Sequence, residues 1–365
     1  MSTTYIRNFI RLPSLLYRQA GIRPTNTKTV CHAGRISHLR PLSTTPFRPA
    51  KARVLAHRNS FAQVRFTLAN VPALSFWESH VGPPLVPEGE VLPAECLEAC
   101  RRYASLAIED APGWRQRALT PAVTTSGEHN SDDPIPLSTL YYAAVLLMRF
   151  PSEGGHLATH ILHTGVTLNY APCILTMARV GIITDKLNRP QFEPTKEALE
   201  KLASNPNREA YYRADALTLM GLFHARQGTS AGDDRALQFF RDAEKVARAP
   251  NATWHWRSSA ALEQSRIYIR RKQPDLAREV LRVAAPKLDN AELCFEYAML
   301  LPPDDPERMV MVQRAAISGV EGAAREMGRI ESQRAAEEGL SSTERREREI
   351  LADEWLGISR DKALI

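Results

Sequence analysis

From about residue 93 onward, hydrophobic positions recur at helical spacing and are broken at short intervals by turn-forming residues. The breaks are "PPLVPEGE" just before that point, then "SGEHNSDDPIP", "FPSEGG", "NRPQFEP", "SNPN", "QGTSAGDD", "RAPNA", "KQPD" and "LPPDDP". No alternating Val/Ile/Thr run flanked by hairpin signals occurs, so a sheet is not expected. Successive amphipathic helices with short connections predict an all-α chain, either a bundle or a solenoid. Internal repeats distinguish the two.

Two segments carry the clearest repeat. In "ADALTLMGLFHARQGTSAGDDRALQFFRDAEKVA", Gly221 follows Met220 and Gly228 ends the first helix. Asp233 and Asp234 open a second helix with Ala236, Phe239, Phe240 and Ala243 at core spacing. In "VQRAAISGVEGAAREMGRI", Ala315, Ala316, Gly319, Ala323 and Gly328 fall at the spacing AAxxGxxxAxxx(apolar)G. These positions resemble tetratricopeptide-like repeats of the Sel-one-like kind. The resemblance implies that small residues let two helices approach and that large apolar residues fill the space between pairs. His224 stands where that family often has Tyr. The stretch 256–285 resembles an eroded pair. Tyr268, Leu276, Ala277, Val280 and Leu281 keep the apolar spacing, but the glycines are missing.

From Ala236 to Ala277 is 41 residues, and from Ala277 to Ala315 is 38, about one helix pair per step. The expected fold is therefore an α-solenoid of antiparallel helix pairs behind a disordered N-terminal extension. Each pair exposes an apolar face that only its neighbour can cover. The expected organisation is a targeting segment at 1–49 and a largely irregular linker at 50–92. Eroded pairs follow at 93–205, and the clear repeats with a capping helix at 206–358. In that last helix Ile350, Leu351, Trp355 and Leu356 form the expected apolar side. Partner docking is the alternative role for it.

Charge changes the picture at the N-terminus. The first 77 residues hold 12 of the 47 Lys and Arg and none of the 41 acids, so the remainder, with 35 basic residues against 41 acidic, is net acidic. An Arg-, Ser- and Thr-rich, acid-free start has the composition of a mitochondrial transit peptide. Ile6, Phe9, Ile10 and Leu16 give one side of a short amphipathic helix, and Arg7, Arg11 and Arg18 the other. "RPLSTTPFRP" resembles a two-step processing signal. Arg40 sits two residues before the first cut, and the mature chain would begin near Ala50; Pro41 at the cut departs from the pattern. An acidic body lacks the bulk charge of a general nucleic-acid binder and leaves room only for a local basic groove. No apolar run is long enough to span a bilayer, so the chain is expected to be soluble or peripheral to a membrane.

Chemistry is hard to assemble. Neither GxGxxG, GxxxxGK[ST] nor GxSxG occurs. Asp132-Asp133, Asp233-Asp234 and Asp304-Asp305 sit where aspartates cap helices. Cys96 and Cys100 form a lone CxxxC, read as small buried helix residues. "GGHLATHILHTG" places His156, His160 and His163 on one helical side. His156 and His160 have zinc-ligand spacing but lack the glutamate of HExxH, and His163 lies too far along the axis to join them on one ion. Trp254, Trp256, Arg257, Arg266, Arg270 and Arg271 read either as core plus a basic face or as an RNA-stacking surface.

The expectation is a non-catalytic mitochondrial scaffold or adaptor with no cofactor, in the matrix or on the matrix face of the inner membrane. It would bind a protein partner, and Arg213, Trp256, Arg266 and Arg270 are the candidate anchors. An RNA-binding repeat factor and a metal- or haem-handling protein using His156 and His160 are the alternatives.

Overall fold

The computed structural model describes residues 60–83, 91–121, 133–205, 210–249, 252 and 254–361. The expected transit peptide, disordered extension and processing signal, and Asp132, lie outside the described residues. Among the described residues the chain is all-α. The helices are α1 (Leu74–His80), α2 (Pro93–Glu109), α3 (Trp114–Ala118), α4 (Leu137–Arg149), α5 (Pro151–Thr167), α6 (Ala171–Ile183), α7 (Glu193–Ser204), α8 (Ala210–Ala225), α9 (Ser230–Ala247), α10 (Arg257–Arg270), α11 (Pro274–Ala284), α12 (Ala291–Met299), α13 (Pro306–Ile317), α14 (Glu321–Ala335) and α15 (Ser342–Asp361). The strands among these residues are two-residue segments, β1 (Leu119–Thr120) and β2 (Ile135–Pro136), paired in parallel with Leu119 opposite Ile135.

The chain divides into two compact units, one ending at Ile161 and the other beginning at Leu162. In the first, α2 packs against α1 and α4. It buries Cys96, Ala99, Cys100, Tyr103, Ala104 and Ala107, a 3.6-residue stripe. The segment expected to be irregular includes α1, which forms because Trp77 is fully buried and its Nε1 donates to the Pro72 carbonyl at 3.2 Å. Gly154 interrupts α5 with non-helical dihedrals, and a Cβ there would lie 2.9 Å from Leu147 Cδ2.

In the second unit, α8–α9, α10–α11, α12–α13 and α14–α15 pack as consecutive pairs. The first helices of successive pairs also touch, α8 with α10 and α10 with α12. This is a helical-repeat arrangement. Ala236, Ala277 and Ala315 lie in α9, α11 and α13, the second helix of three successive pairs, and all are fully buried.

The tightest pairs are those with a glycine in the first helix. A Cβ on Gly221 would collide with the Phe240 ring of α9, and one on Gly328 would lie 2.7 Å from Leu356 Cγ of α15. Gly228 (φ 63°) and Gly319 (φ 88°) do different work, ending α8 and α13 in the left-handed region that a side chain disfavours. At Gly319 the N–H bonds to the Ala316 carbonyl and the Val320 N–H to the Ala315 carbonyl, a Schellman closure. Thr229 caps α9 by accepting the Gly232 N–H at 3.0 Å, and Asp305 caps α13 by accepting from Glu307 at 2.8 Å. Asp233, expected as a capping residue, is instead buried in the first turn of α9 and paired with Arg270.

Ala236, Phe240 and Ala243 are fully buried, as are Ala315, Ala316 and Ala323 to within 2%. Phe239 is half-buried and stacks on His224, ring centroids 5.4 Å apart. Three apolar expectations change. Leu276 is 48% exposed, Ile350 45% and Leu351 44%. In α15 the packed side is instead Ala352, Trp355 and Leu356, because the glycine gap at 328 accepts Leu356.

Candidate functional site

Six of the exposed large apolar residues of the second unit fall in doublets on second helices; Ile269 of α10, Met299 of α12 and Ile350 of α15 are exposed outside them. On α11, Leu276 and Val283 are exposed; on α13, Val310 and Ile317; on α15, Leu351 and Ile358. Each doublet is spaced i, i+7, so both members lie on one side of their helix. Each also lies on the second helix of its pair. On α11 and α15 the i+4 position between them is apolar and turned partly into the core, Val280 in one and Trp355 in the other. On α13 it is Arg314, ion-paired with Asp289 at 2.6 Å. A solvated helix face does not need large aliphatic residues at seven-residue spacing, whereas a helix-binding face does.

The arginines of the same region are largely spoken for. Arg266 pairs with Glu296, Arg270 with Asp233 and Glu263, Arg271 with Asp234, Arg278 with Asp275, and Arg282 with Glu279. Arg308 and Arg329 share Glu326, and Arg334 and Arg348 share Glu331. Several of these tie one helix to the next. A phosphate backbone would have to displace a carboxylate at each of them.

A second feature is a sealed polar centre where α6, α8 and the start of α10 meet. Asp215 of α8 is fully buried. Its Oδ2 lies 2.7 Å from His255 Nδ1, and its Oδ1 accepts the Trp256 backbone N–H at 3.1 Å. Burial raises the Asp215 carboxyl above its ordinary value, opposed by the hydrogen bonds from His255 and Trp256. The Arg179 guanidinium of α6 lies 5.2 Å over the Trp256 ring, and burial lowers it, with the Asp215 charge opposing. Beside it, Trp254 Nε1 donates to Thr218 Oγ1 at 2.7 Å. Through Asp215, this centre ties the residues that enter α10 to α8.

The structure separates several residues that the sequence suggested as sites. His156 is exposed, whereas His160 is 1% exposed and sits 2.8 Å from Tyr103 Oη, with its ring edge-on to Phe66. Among the described residues no three His, Cys, Asp or Glu side chains converge as a metal-binding group. Trp256 is 5% exposed. Arg213 donates to the Ala203 carbonyl at 3.0 Å, at the end of α7, and Arg266 and Arg270 hold the ion pairs above. In the sequence Leu276 and Leu351 read as packed positions, because seven-residue spacing is also what a buried helix face shows. Only the packing reveals which apolar face is left over.

Compared with models of protein families, with curated proteins and with solved structures, the chain matches none. No helix among the described residues is long and apolar enough to cross a membrane.

Proposed function

We propose that the chain is a non-catalytic scaffold or adaptor that binds a protein partner along the second helices of its repeats. The observation that carries this is the recurrence of exposed i, i+7 apolar doublets on the second helix of three consecutive pairs. Buried on a partner, such residues supply about 25 cal/mol per Å² of apolar surface, and a few of them set the affinity. The repeat type is Sel-one-like tetratricopeptide, supported by the apolar-Gly pairs at 220–221 and 327–328. The acid-free basic N-terminus supports mitochondrial import, to the matrix or the matrix face of the inner membrane. Respiratory-complex assembly or mitochondrial gene expression is the setting.

Carboxylate pairing of the repeat arginines weighs against the RNA alternative. The test is affinity purification of the tagged chain from mitochondria, reading protein and RNA together, beside Val310→Asp/Ile317→Asp. The expected result is a set of proteins retained in high salt and lost by the variant. Salt-sensitive RNA recovery, or an unchanged protein set from a folded variant, overturns the reading.

A further inference from the structure

The last described helix differs from its counterparts in its charges. Along α15 the apolar strip runs Leu351, Trp355, Ile358, at i, i+4 and i+7. Trp355 leans into the core, while Leu351 and Ile358 stay 44% and 43% exposed. Glu347 and Glu354 are placed four residues before and three after Leu351, so both border the strip on its solvent side. Both are exposed, and the ion pairs of this helix among the described residues, Arg346 with Glu349 and Arg348 with Glu331, involve neither. Among the described residues some other acids of this region, though not Asp353, do have partners. Glu331 holds Arg334 and Arg348, Glu349 holds Arg346, and Glu344 accepts from Ser341. On α11 the nearest acid, Glu279, is taken by Arg282.

We infer that this strip is the docking site for an amphipathic helix of a partner protein whose apolar face is bordered by Lys or Arg. The inference rests on the scaffold reading above and specifies the chemistry of one of its contacts. The apolar residues match a guest helix with i, i+3 or i+4, and i+7 anchors. The two carboxylates, seven residues apart, meet two cations on the guest's edge. A second copy fits badly, because antiparallel α15 strips bring their acid borders together. An anionic lipid surface is opposed by the same charges.

The test uses the full chain and two labelled helical peptides of about 18 residues, five turns. Both carry Leu at i, i+4 and i+7. One has Lys along one border, and its twin has Glu in place of each Lys. Fluorescence anisotropy is expected to show binding of the Lys peptide and little of the Glu peptide. Glu347→Lys/Glu354→Lys is expected to weaken the Lys peptide by about tenfold or more and to gain the Glu peptide. Leu351→Asp/Ile358→Asp is expected to lose both while keeping its helical circular dichroism. Binding of neither peptide, equal binding of both by the unmodified chain, or a dimer in sedimentation that Leu351→Asp dissolves overturns the inference. If the Val310→Asp/Ile317→Asp variant still sheds its partners, the scaffold reading survives that failure. The charge-swapped variant keeps the test decisive even if the Asp variant does not fold.

Discussion

Asp215 and His255 form a sealed contact 40 residues apart in sequence, Oδ2 to Nδ1 2.7 Å, with side chains 0% and 5% exposed. Through it, and through the Trp256 N–H on the other oxygen, one carboxylate holds the entry to α10 against α8. Removing one partner from a buried pair leaves the other uncompensated. Asp215→Ala takes the acceptor away from the His255 ring nitrogen and the Trp256 N–H and is expected to lower the unfolding free energy by about 1–3 kcal/mol for each group. Asp215→Asn keeps an acceptor and is expected to cost about 1–3 kcal/mol. Urea unfolding at neutral pH measures both, and an Ala variant as stable as the parent would remove the anchoring role.

Gly221→Ala puts a methyl group into the Phe240 ring. Overpacking of this kind costs about 1–3 kcal/mol. Phe240→Leu in the Gly221→Ala background is expected to recover part of the loss, since the smaller side chain vacates the collision. Additive losses in a thermal-unfolding cycle would mean the two helices do not meet through this pair.

Glu326 accepts from Arg329 at 2.7 Å and from Arg308 at 2.8 Å, and these bonds hold its carboxyl below the ordinary 4.5. A depressed carboxyl contributes stability above its unfolded value, and that contribution is lost as pH falls through the folded value. The parent chain is therefore expected to exceed Glu326→Gln in stability near neutral pH. The gap should narrow as pH drops below 4.5. Urea midpoints of both chains across acid pH check this, and a constant gap would assign the difference to packing alone.

Cys96, Cys100, Cys173 and Cys294 are free and buried. Burial pushes the Cys96 thiol up to about 12, with the Glu95 charge adding to it, and raises Cys100 and Cys173 as well. A thiol needs its thiolate to react. These four are expected to resist alkylation at neutral pH in the folded chain and to react in denaturant. Mass mapping of fast native labelling at Cys96 or Cys100 would contradict the burial of α2.

The helix-pair register was legible because glycines and alanines at close approaches leave a pattern with no side-chain ambiguity. Ala236, Ala277 and Ala315 fall on equivalent helices, and Met220-Gly221 and Met327-Gly328 mark equivalent contacts. The outer face was not legible. Leu276 and Leu281 both follow the apolar spacing, yet one is exposed and the other sealed, and tertiary packing alone separates them. Asp215 and His255 were missed for another reason. Each sits among unremarkable neighbours, and a pairing across 40 residues has no local signature.

The repeated doublets carry an energetic consequence. Helices that pack chiefly on sequence neighbours transmit little strain along the stack, so contacts made on α11, α13 and α15 are nearly independent. A partner that reaches all three gains by avidity. Each contact can be weak and quickly exchanged, while the second and third form at the high effective concentration set by the first. Such a face grips an extended partner firmly and a short fragment of it hardly at all.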